Sequence, residues 1–175
     1  EIVAQGEYAV GAKDYSDLIL KAKAANADAM FALPTPPDGM AMVKQMHELD
    51  FNPKLVFAIR APDAPVWSQN LGKDGDYTLF APGWHNAFKY PGVTELNAAH
   101  VKKIGRPADP ITGPAYACVQ ILAAALEKAG APDREKVRDA IAATDMMTVV
   151  GPVKFRANGT GIVQGAFLQW LNGKQ

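Results

Sequence analysis

The sequence contains little of what most catalytic and metal-binding sites require. Cys118 is its only cysteine, so the chain can form neither an internal disulfide nor a cysteine-based metal site. Ser16 and Ser68 are its only serines, and neither lies in a GxSxG motif. No glycine-rich phosphate loop occurs, and no two of the three histidines have the i, i+4 spacing of a metal-binding helix. We therefore predict a protein without catalytic activity, cofactor or metal.

Long apolar runs and blocks of like charge are absent as well. No run approaches the roughly 20 apolar residues that a membrane-spanning helix requires, and 18 basic residues balance 18 acidic ones. The densest basic spot is Lys102 with Lys103, which is too little to attract a phosphate backbone, so we exclude nucleic acid as a partner. The hydrophobic content of 49% over 175 residues is typical of one folded domain with a sizeable core. Cys118 lies in an apolar helix, where we expect its thiol to be buried.

Strand-like and helix-like segments alternate over the first ninety residues, a pattern typical of α/β domains. The predicted strands are residues 1–8, 29–33, 54–59 and 77–81, then 153–155 and 166–171 on the two sides of a turn at residues 158–159. The predicted helices begin near residues 15, 38 and 66 and continue with 92–104, 113–129 and 133–143. We expect the alanine-rich helix 113–129 to lie between other elements. Because the chain opens directly in an apolar strand, we also expect it to be the second half of a larger protein.

The segments that follow three of the predicted strands contain the candidate binding residues. In an open parallel sheet, ligands bind at the carboxyl ends of the strands. Thr35 follows the second strand, Arg60 the third, and Trp84 with His85 the fourth. A threonine can exchange a hydrogen bond, an arginine can clamp a carboxylate and an indole can stack on an apolar ligand. The alternatives are turn chemistry for Thr35, a solvated charge for Arg60 and packing for Trp84. The functional interpretation requires these strands to lie side by side.

Five segments together resemble a known family. They are Lys-Asp-Tyr-Ser at 13–16, Ala-Asp-Ala-Met-Phe at 27–31, the helix start at 37–45, Gly-Pro-Ala-Tyr-Ala-Cys at 113–118, and residues 150–159. In their order and spacing, the chain resembles the C-terminal half of the type I periplasmic solute-binding proteins of ABC transporters, the Leu/Ile/Val-binding family. The resemblance covers essentially all 175 residues.

The resemblance implies an α/β fold, namely a three-layer parallel-sheet lobe that closes on a small solute against a first lobe. Residues 1–145 would form this second lobe, and residues 146–175 would supply hinge-crossing and closing strands that run toward the missing first lobe. The family delivers its small-molecule solute to the membrane permease of an ABC transporter. The resemblance therefore implies a periplasmic location, that permease as a partner, and a role in transport such as that of branched-chain amino acids.

The resemblance also bears on the solute. From this lobe, the family uses an aromatic residue after the second strand and an acidic residue after the third, which holds the amino group of an amino acid. By position, the aromatic falls on Thr35 and the acid on Ile59 or Arg60. An arginine there would repel an ammonium group, so we predict an anionic or amide-type solute, such as an aromatic or organic acid, contacted by Arg60 and Trp84. Asp63 is the remaining candidate partner for an ammonium group.

Two other functions compete with this interpretation. The same two-lobed fold serves ligand-sensing domains of regulators and receptors, which is the main alternative. A doubly wound enzyme is disfavoured because no phosphate loop or nucleophile–base pair is present. An isolated lobe would expose its cleft face and the apolar segments 2–3 and 167–171, so we expect self-association through these surfaces or through strand edges.

Overall fold

The computed structural model describes residues 1–162 and 165–175, and the chain divides into two compact units. The first unit comprises Glu1–Pro82 with Phe167–Gln175, and the second comprises Gly83–Ala166. The first contains α1 (Ser16–Ala24), β1 (Ala29–Ala32), α2 (Pro36–Glu48), β2 (Leu55–Ala58), α3 (Val66–Leu71), β3 (Leu79–Phe80) and β7 (Leu168–Gln169). The second contains α4 (Val93–Ile104), α5 (Thr112–Ala129), α6 (Arg134–Ala142), β4 (Asp145–Thr148), β5 (Gly151–Phe155) and β6 (Gly161–Ile162). The predicted α/β class is confirmed, whereas the closing role of residues 146–175 stays a prediction.

The first unit is built on a mostly parallel sheet with the strand order β1-β2-β3-β7. β1, β2 and β3 run parallel, and β7 joins β3 in the antiparallel direction. Helices α1 and α2 follow the apolar periodicity of the sequence. Tyr15 just before α1, Ile19 of α1, and Met42 and Met46 of α2 form a buried cluster. Met30 of β1 packs against it. This cluster covers one face of the sheet.

A second cluster in the same unit joins the short helix α3 to the last strand. Trp67 and Phe80 are fully buried in it, together with Trp170, which is 3% exposed. The rings of Phe80 and Trp170 are stacked, with centroids 6.4 Å apart. Gly39 of α2 lies so close to Ala61 and Trp67 that a Cβ at this position would overlap the Ala61 methyl group. The turn that follows β2 is therefore held tightly against α2 and α3.

The opposite face of this sheet is rich in exposed apolar side chains. Phe31 and Phe167 are 74% and 75% exposed, and Leu33 after β1 is 76% exposed. The ring of Phe57 lies between the two phenylalanines, with centroids 5.6 Å from Phe31 and 5.8 Å from Phe167. We call Phe31, Leu33, Phe57 and Phe167 the open face. It borders β1, which is an edge strand of the sheet.

The second unit combines three helices with the antiparallel sheet β4-β5-β6. Its core contains Trp84, Val93, Val149 and Val153. The expectation that helix 113–129 is enclosed is wrong, because α5 buries a narrow stripe of small residues and exposes others, including Val119 at 64%. The same geometry corrects the expectation for the thiol at position 118. That cysteine is exposed, because it lies about 100° around the helix from the buried Ala117.

Two strand predictions also need correction. Residues 1–9 form no regular structure, and Ile2 is 81% exposed. An apolar segment becomes a strand only when a neighbour completes its ladder, and no described strand pairs with this one. The turn at 158–159 exists, with Gly159 N donating to Arg156 O at 2.8 Å, but it joins β5 to β6 rather than to residues 166–171. β7 returns to the first unit, and β4 was not predicted.

Candidate functional site

The carboxyl ends of β1 and β2 lie next to each other, as the functional interpretation of Thr35 and Arg60 requires. The two strands are paired in parallel with Ala32 opposite Ala58. Ile59 N, just beyond β2, donates to Ala32 O at 3.0 Å. Thr35 and Arg60 therefore follow adjacent strand ends at one edge of the sheet, the edge where parallel sheets bind ligands.

Thr35 takes part in a hydrogen-bond network centred on Asp38. Its hydroxyl donates to Asp38 Oδ2 at 2.7 Å, and the other carboxylate oxygen accepts from Gly11 N at 3.0 Å and from the Tyr15 hydroxyl at 2.8 Å. Asp38 is only 2% exposed, so these donors replace the water that it loses. The hydroxyl proton of Thr35 is thus committed within the protein, while its lone pairs can still accept a hydrogen bond.

The network alters the acidity of two of its members. The hydrogen bond from Thr35, followed by those from Tyr15 and Gly11, holds the pKa of Asp38 below its ordinary value. Burial, together with the hydrogen bond to Asp38, raises the pKa of Tyr15 to about 12. The sequence alone does not identify Asp38 as part of this site. The available signal was the Thr-x-x-Asp spacing at the start of a helix, which resembles a capping box.

Arg60 is the exposed charge at this edge. Its backbone adopts the left-handed conformation, with φ 74° and ψ −27°, which costs a residue with a Cβ about 1–2 kcal/mol. Its side chain is 60% exposed, and Nε lies 3.8 Å from Asp63 Oδ2. This contact is longer than a hydrogen bond, so the guanidinium has no hydrogen-bond partner among the described residues.

Asp63 is buried beside this arginine. Its carboxyl oxygen Oδ1 has no hydrogen-bond partner among the described residues. Burial raises the pKa of Asp63, and the nearby Arg60 charge opposes that rise only in part. The Arg60 charge lies 3.8 Å from Asp63 Oδ2 and would repel an ammonium group that approached this carboxyl. Because the Asp63 side chain is buried and that of Arg60 is exposed, the turn presents mainly a positive charge to solvent.

Trp84 and His85 belong to the second unit, and Trp84 differs from the expectation. Trp84 is fully buried in the core of that unit, where its indole Nε1 donates to Val149 O at 2.8 Å. A fully buried indole offers no ring face to a solute, so a packing role replaces the predicted contact of Trp84. His85 is half-buried, and its Nδ1 accepts from Ala87 N at 3.1 Å. A contact between His85 and the solute stays a prediction.

The second unit contains a groove that none of the five candidate residues lines. It has a volume of about 390 Å³ and lies between α5 and α6, lined by Leu126, Val137 and Ile141 with Arg134 and Arg138. Among the described residues, no three His, Cys, Asp or Glu side chains are grouped so that they could hold a metal ion. Within residues 1–162 and 165–175, no helix is long and apolar enough to cross a membrane.

Comparison with known proteins identifies the family. A family profile described as "Periplasmic binding protein" matches residues 1–175. The Leu/Ile/Val-binding protein BraC3 of Rhizobium johnstonii is 29% identical over 168 residues, which are 94% of this chain and 45% of that protein. The solved leucine binding protein LivK of Thermotoga maritima is 25% identical with a TM-score of 0.85, over 93% of this chain and 47% of that one.

A third relative shows the fold alone. The solute-binding protein of an ABC transporter of R. palustris, solved in complex with benzoate, is 15% identical with a TM-score of 0.81, over 95% of this chain and 46% of that one. The chain thus spans about half the length of the proteins that it matches, and its fold is that of half a type I periplasmic binding protein. Because the family profile matches all of residues 1–175, the chain belongs to the periplasmic binding protein family.

Proposed function

We propose that the protein containing this chain is the extracytoplasmic solute-binding component of an ABC transporter. It would bind a small solute and deliver it to the membrane permease. The family match over residues 1–175 and the similarity to a Leu/Ile/Val-binding protein and a leucine binding protein support this proposal. The solute would contact the carboxyl ends of β1 and β2, where Thr35 and Arg60 follow adjacent strands.

The proposed solute is an organic anion or an amide rather than a zwitterionic amino acid. The observation that carries this proposal is the exposed guanidinium of Arg60, which has no hydrogen-bond partner among the described residues. A guanidinium matches a carboxylate with two parallel hydrogen bonds and also donates well to an amide carbonyl. An ammonium group at the same place would meet a positive charge.

Thr35 adds a complementary preference at the same edge. Its proton is already donated to Asp38, so the hydroxyl can offer a solute only its lone pairs. It would therefore accept from a solute N–H or O–H, while Arg60 donates to a solute oxygen. A primary amide or a hydroxy acid carries both kinds of group. An amino group that approached Asp63 would meet the Arg60 charge, which lies 3.8 Å from the same carboxyl.

Binding of matched ligands to the full-length protein tests this proposal. Benzoate, its neutral isostere benzamide, and leucine are titrated calorimetrically into the wild type and into Arg60→Gln. The matched control is Lys54→Gln, which removes a cation before β2 that is likewise paired with an acid, Asp28 at 2.6 Å. We expect Arg60→Gln to weaken benzoate binding by about 10- to 100-fold, the range for hydrogen bonds to a charged group, and Lys54→Gln to leave it unchanged. Binding of leucine, with no binding of either benzoate or benzamide, would contradict the proposed solute class.

We also propose that the isolated chain self-associates through the open face and the edge strand β1. Phe31, Leu33 and Phe167 present a contiguous apolar surface at one side of the sheet. Such a surface next to an unpaired strand edge favours association with a second copy.

A further inference from the structure

The turn that presents Arg60 is rigid on its buried side and exposed only at the arginine. Ala61, Pro62 and Asp63 form a single turn of 3-10 helix, and all three are buried. On the strand side, the turn is fixed by the hydrogen bond from Ile59 N to Ala32 O. Arg60 lies between these two anchors in the left-handed conformation. A strained residue persists only where its surroundings determine its backbone on both sides.

The anchor on the buried side comes from the distant end of the chain. Trp170 Nε1 donates to Pro62 O at 2.8 Å. The indole is 3% exposed and stacks on Phe80. The main chain of Trp170 is hydrogen-bonded to the segment before β3, since Tyr77 N donates to Trp170 O at 2.8 Å. The indole therefore cannot follow the turn if the turn moves.

Gln175 supplies a weaker second anchor to the same turn. Its side-chain Nε2 lies 3.3 Å from Pro62 O and 3.2 Å from Asp63 O. These distances exceed the usual 2.9–3.0 Å of such bonds. The indole bond of Trp170 is the shorter and more deeply buried of the two, so it dominates.

We infer that Trp170 is a positioning residue for solute recognition, which fixes the direction in which Arg60 presents its guanidinium. The inference rests on the proposed function, because it assigns a role in the same site. Loss of the indole bond would let the turn at 61–63 relax and would let Arg60 leave its strained conformation. Two parallel hydrogen bonds to a carboxylate depend on direction more than one bond to a neutral carbonyl does. The expected consequence is a selective loss of anion binding.

The test compares two buried tryptophans in the full-length protein. Trp170→Phe keeps a ring that can stack on Phe80, removes the bond to Pro62 and leaves a small cavity. Trp84→Phe is the matched control, since it removes an equally buried indole bond, that to Val149 at 2.8 Å, in the other unit. Calorimetric titration with benzoate and benzamide gives the ratio of their dissociation constants. Hydrogen exchange measured by mass spectrometry follows the backbone amides of residues 59–64 without ligand.

We expect Trp170→Phe to weaken benzoate binding by about five- to tenfold, the size of one buried hydrogen bond, and benzamide binding by about twofold or less. It should also speed amide exchange over residues 59–64, which Trp84→Phe leaves unchanged. Gln175→Ala, at an exposed position, should change the benzoate-to-benzamide ratio in the same direction by a smaller factor. If Trp170→Phe does not fold, the benzoate-to-benzamide ratio of Gln175→Ala tests the anchoring of the turn instead.

The opposite results are equally clear. If Trp170→Phe and Trp84→Phe weaken both probes equally and exchange over residues 59–64 does not change, the positioning role is refuted. If the wild type binds neither benzoate nor benzamide, the proposed solute class fails, and hydrogen exchange alone then decides whether Trp170 fixes the turn. Unchanged exchange in that case also refutes the inference.

Discussion

A glycine at position 60 should make the protein more stable than an alanine there, and both substitutions should weaken solute binding. Arg60 has φ 74°, a conformation that glycine adopts without strain. The useful comparison is with Arg60→Ala, because both variants lose the guanidinium and its 3.8 Å contact with Asp63. The difference between the two variants therefore isolates the backbone strain at this position.

The expected size of this difference follows from two opposing effects. The left-handed conformation costs a residue with a Cβ about 1–2 kcal/mol. Glycine loses more chain entropy on folding than alanine, which costs about 0.5–1 kcal/mol. Arg60→Gly should therefore exceed Arg60→Ala in free energy of unfolding by about 0.5–1 kcal/mol. For a chain of this length, the difference corresponds to a melting temperature higher by about 1–4 °C.

Urea unfolding followed by tryptophan fluorescence measures the free energies. Gly105→Ala calibrates the strain, because Gly105 follows α4 at φ 79° and ψ 7° with no atom near its missing Cβ. It should lose about the same free energy that Arg60→Gly gains over Arg60→Ala. If Arg60→Gly is no more stable than Arg60→Ala while Gly105→Ala is destabilised, the turn is not strained, and the anchoring argument for Trp170 loses its basis.

Three further predictions concern other parts of the chain. The pKa of Asp38 is lowered in the folded protein. The stabilisation that the Asp38 carboxylate provides is therefore fully present above pH 3.8, the ordinary pKa of the group, and is lost as the pH falls through the lower folded pKa. Asp38→Asn should remove this pH dependence from acid unfolding curves. Phe31→Ser should shift the isolated chain toward monomer in light scattering, because it removes a 74% exposed ring from the open face. Gly113→Ala should destabilise the second unit by about 1–3 kcal/mol in urea unfolding, since its Cβ would overlap the Trp84 indole.

Each of these predictions has a clear contrary result. Equal acid dependence in wild type and Asp38→Asn would show that the network does not lower the pKa of the Asp38 carboxyl. A chain that is monomeric at high concentration before any substitution would refute self-association. The control for Gly113→Ala is Gly130→Ala, which has open space around it but is strained at φ 70°. Gly113 is a helical residue without positive φ, so a Gly113→Ala variant at least as stable as the wild type would show that overlap with Trp84 costs nothing.

The sequence predicted the fold well wherever local periodicity decides the structure. The alternation of apolar strands and amphipathic helices up to residue 81 matches the first unit, apart from residues 1–8. Pairing between distant segments is a different matter, because nothing in the local pattern of residues 166–171 says whether they pair with β5 or with β3. The exposed thiol of Cys118 was missed because α5 contains so many apolar residues that composition alone does not indicate which side faces the core.

Only part of the candidate site could be predicted from the sequence. The sheet rule placed Thr35 and Arg60 at adjacent strand ends, and the structure confirms that their strands are neighbours. Trp84 misled because a tryptophan after a strand fits a core and a ligand wall equally well, and only tertiary packing distinguishes them. The roles of Asp38 and Trp170 depend on contacts across 23 and 108 residues of sequence, which no local pattern reveals.

The most direct test of the whole account is the dissociation constant of benzoate for the full-length protein, measured calorimetrically beside that of leucine, in wild type and Arg60→Gln. Arg60 is the exposed charge at the edge where β1 and β2 end. We predict that benzoate binds more tightly than leucine and that Arg60→Gln removes most of this preference. Tight leucine binding that is unaffected or improved by Arg60→Gln, with no binding of benzoate, would contradict it.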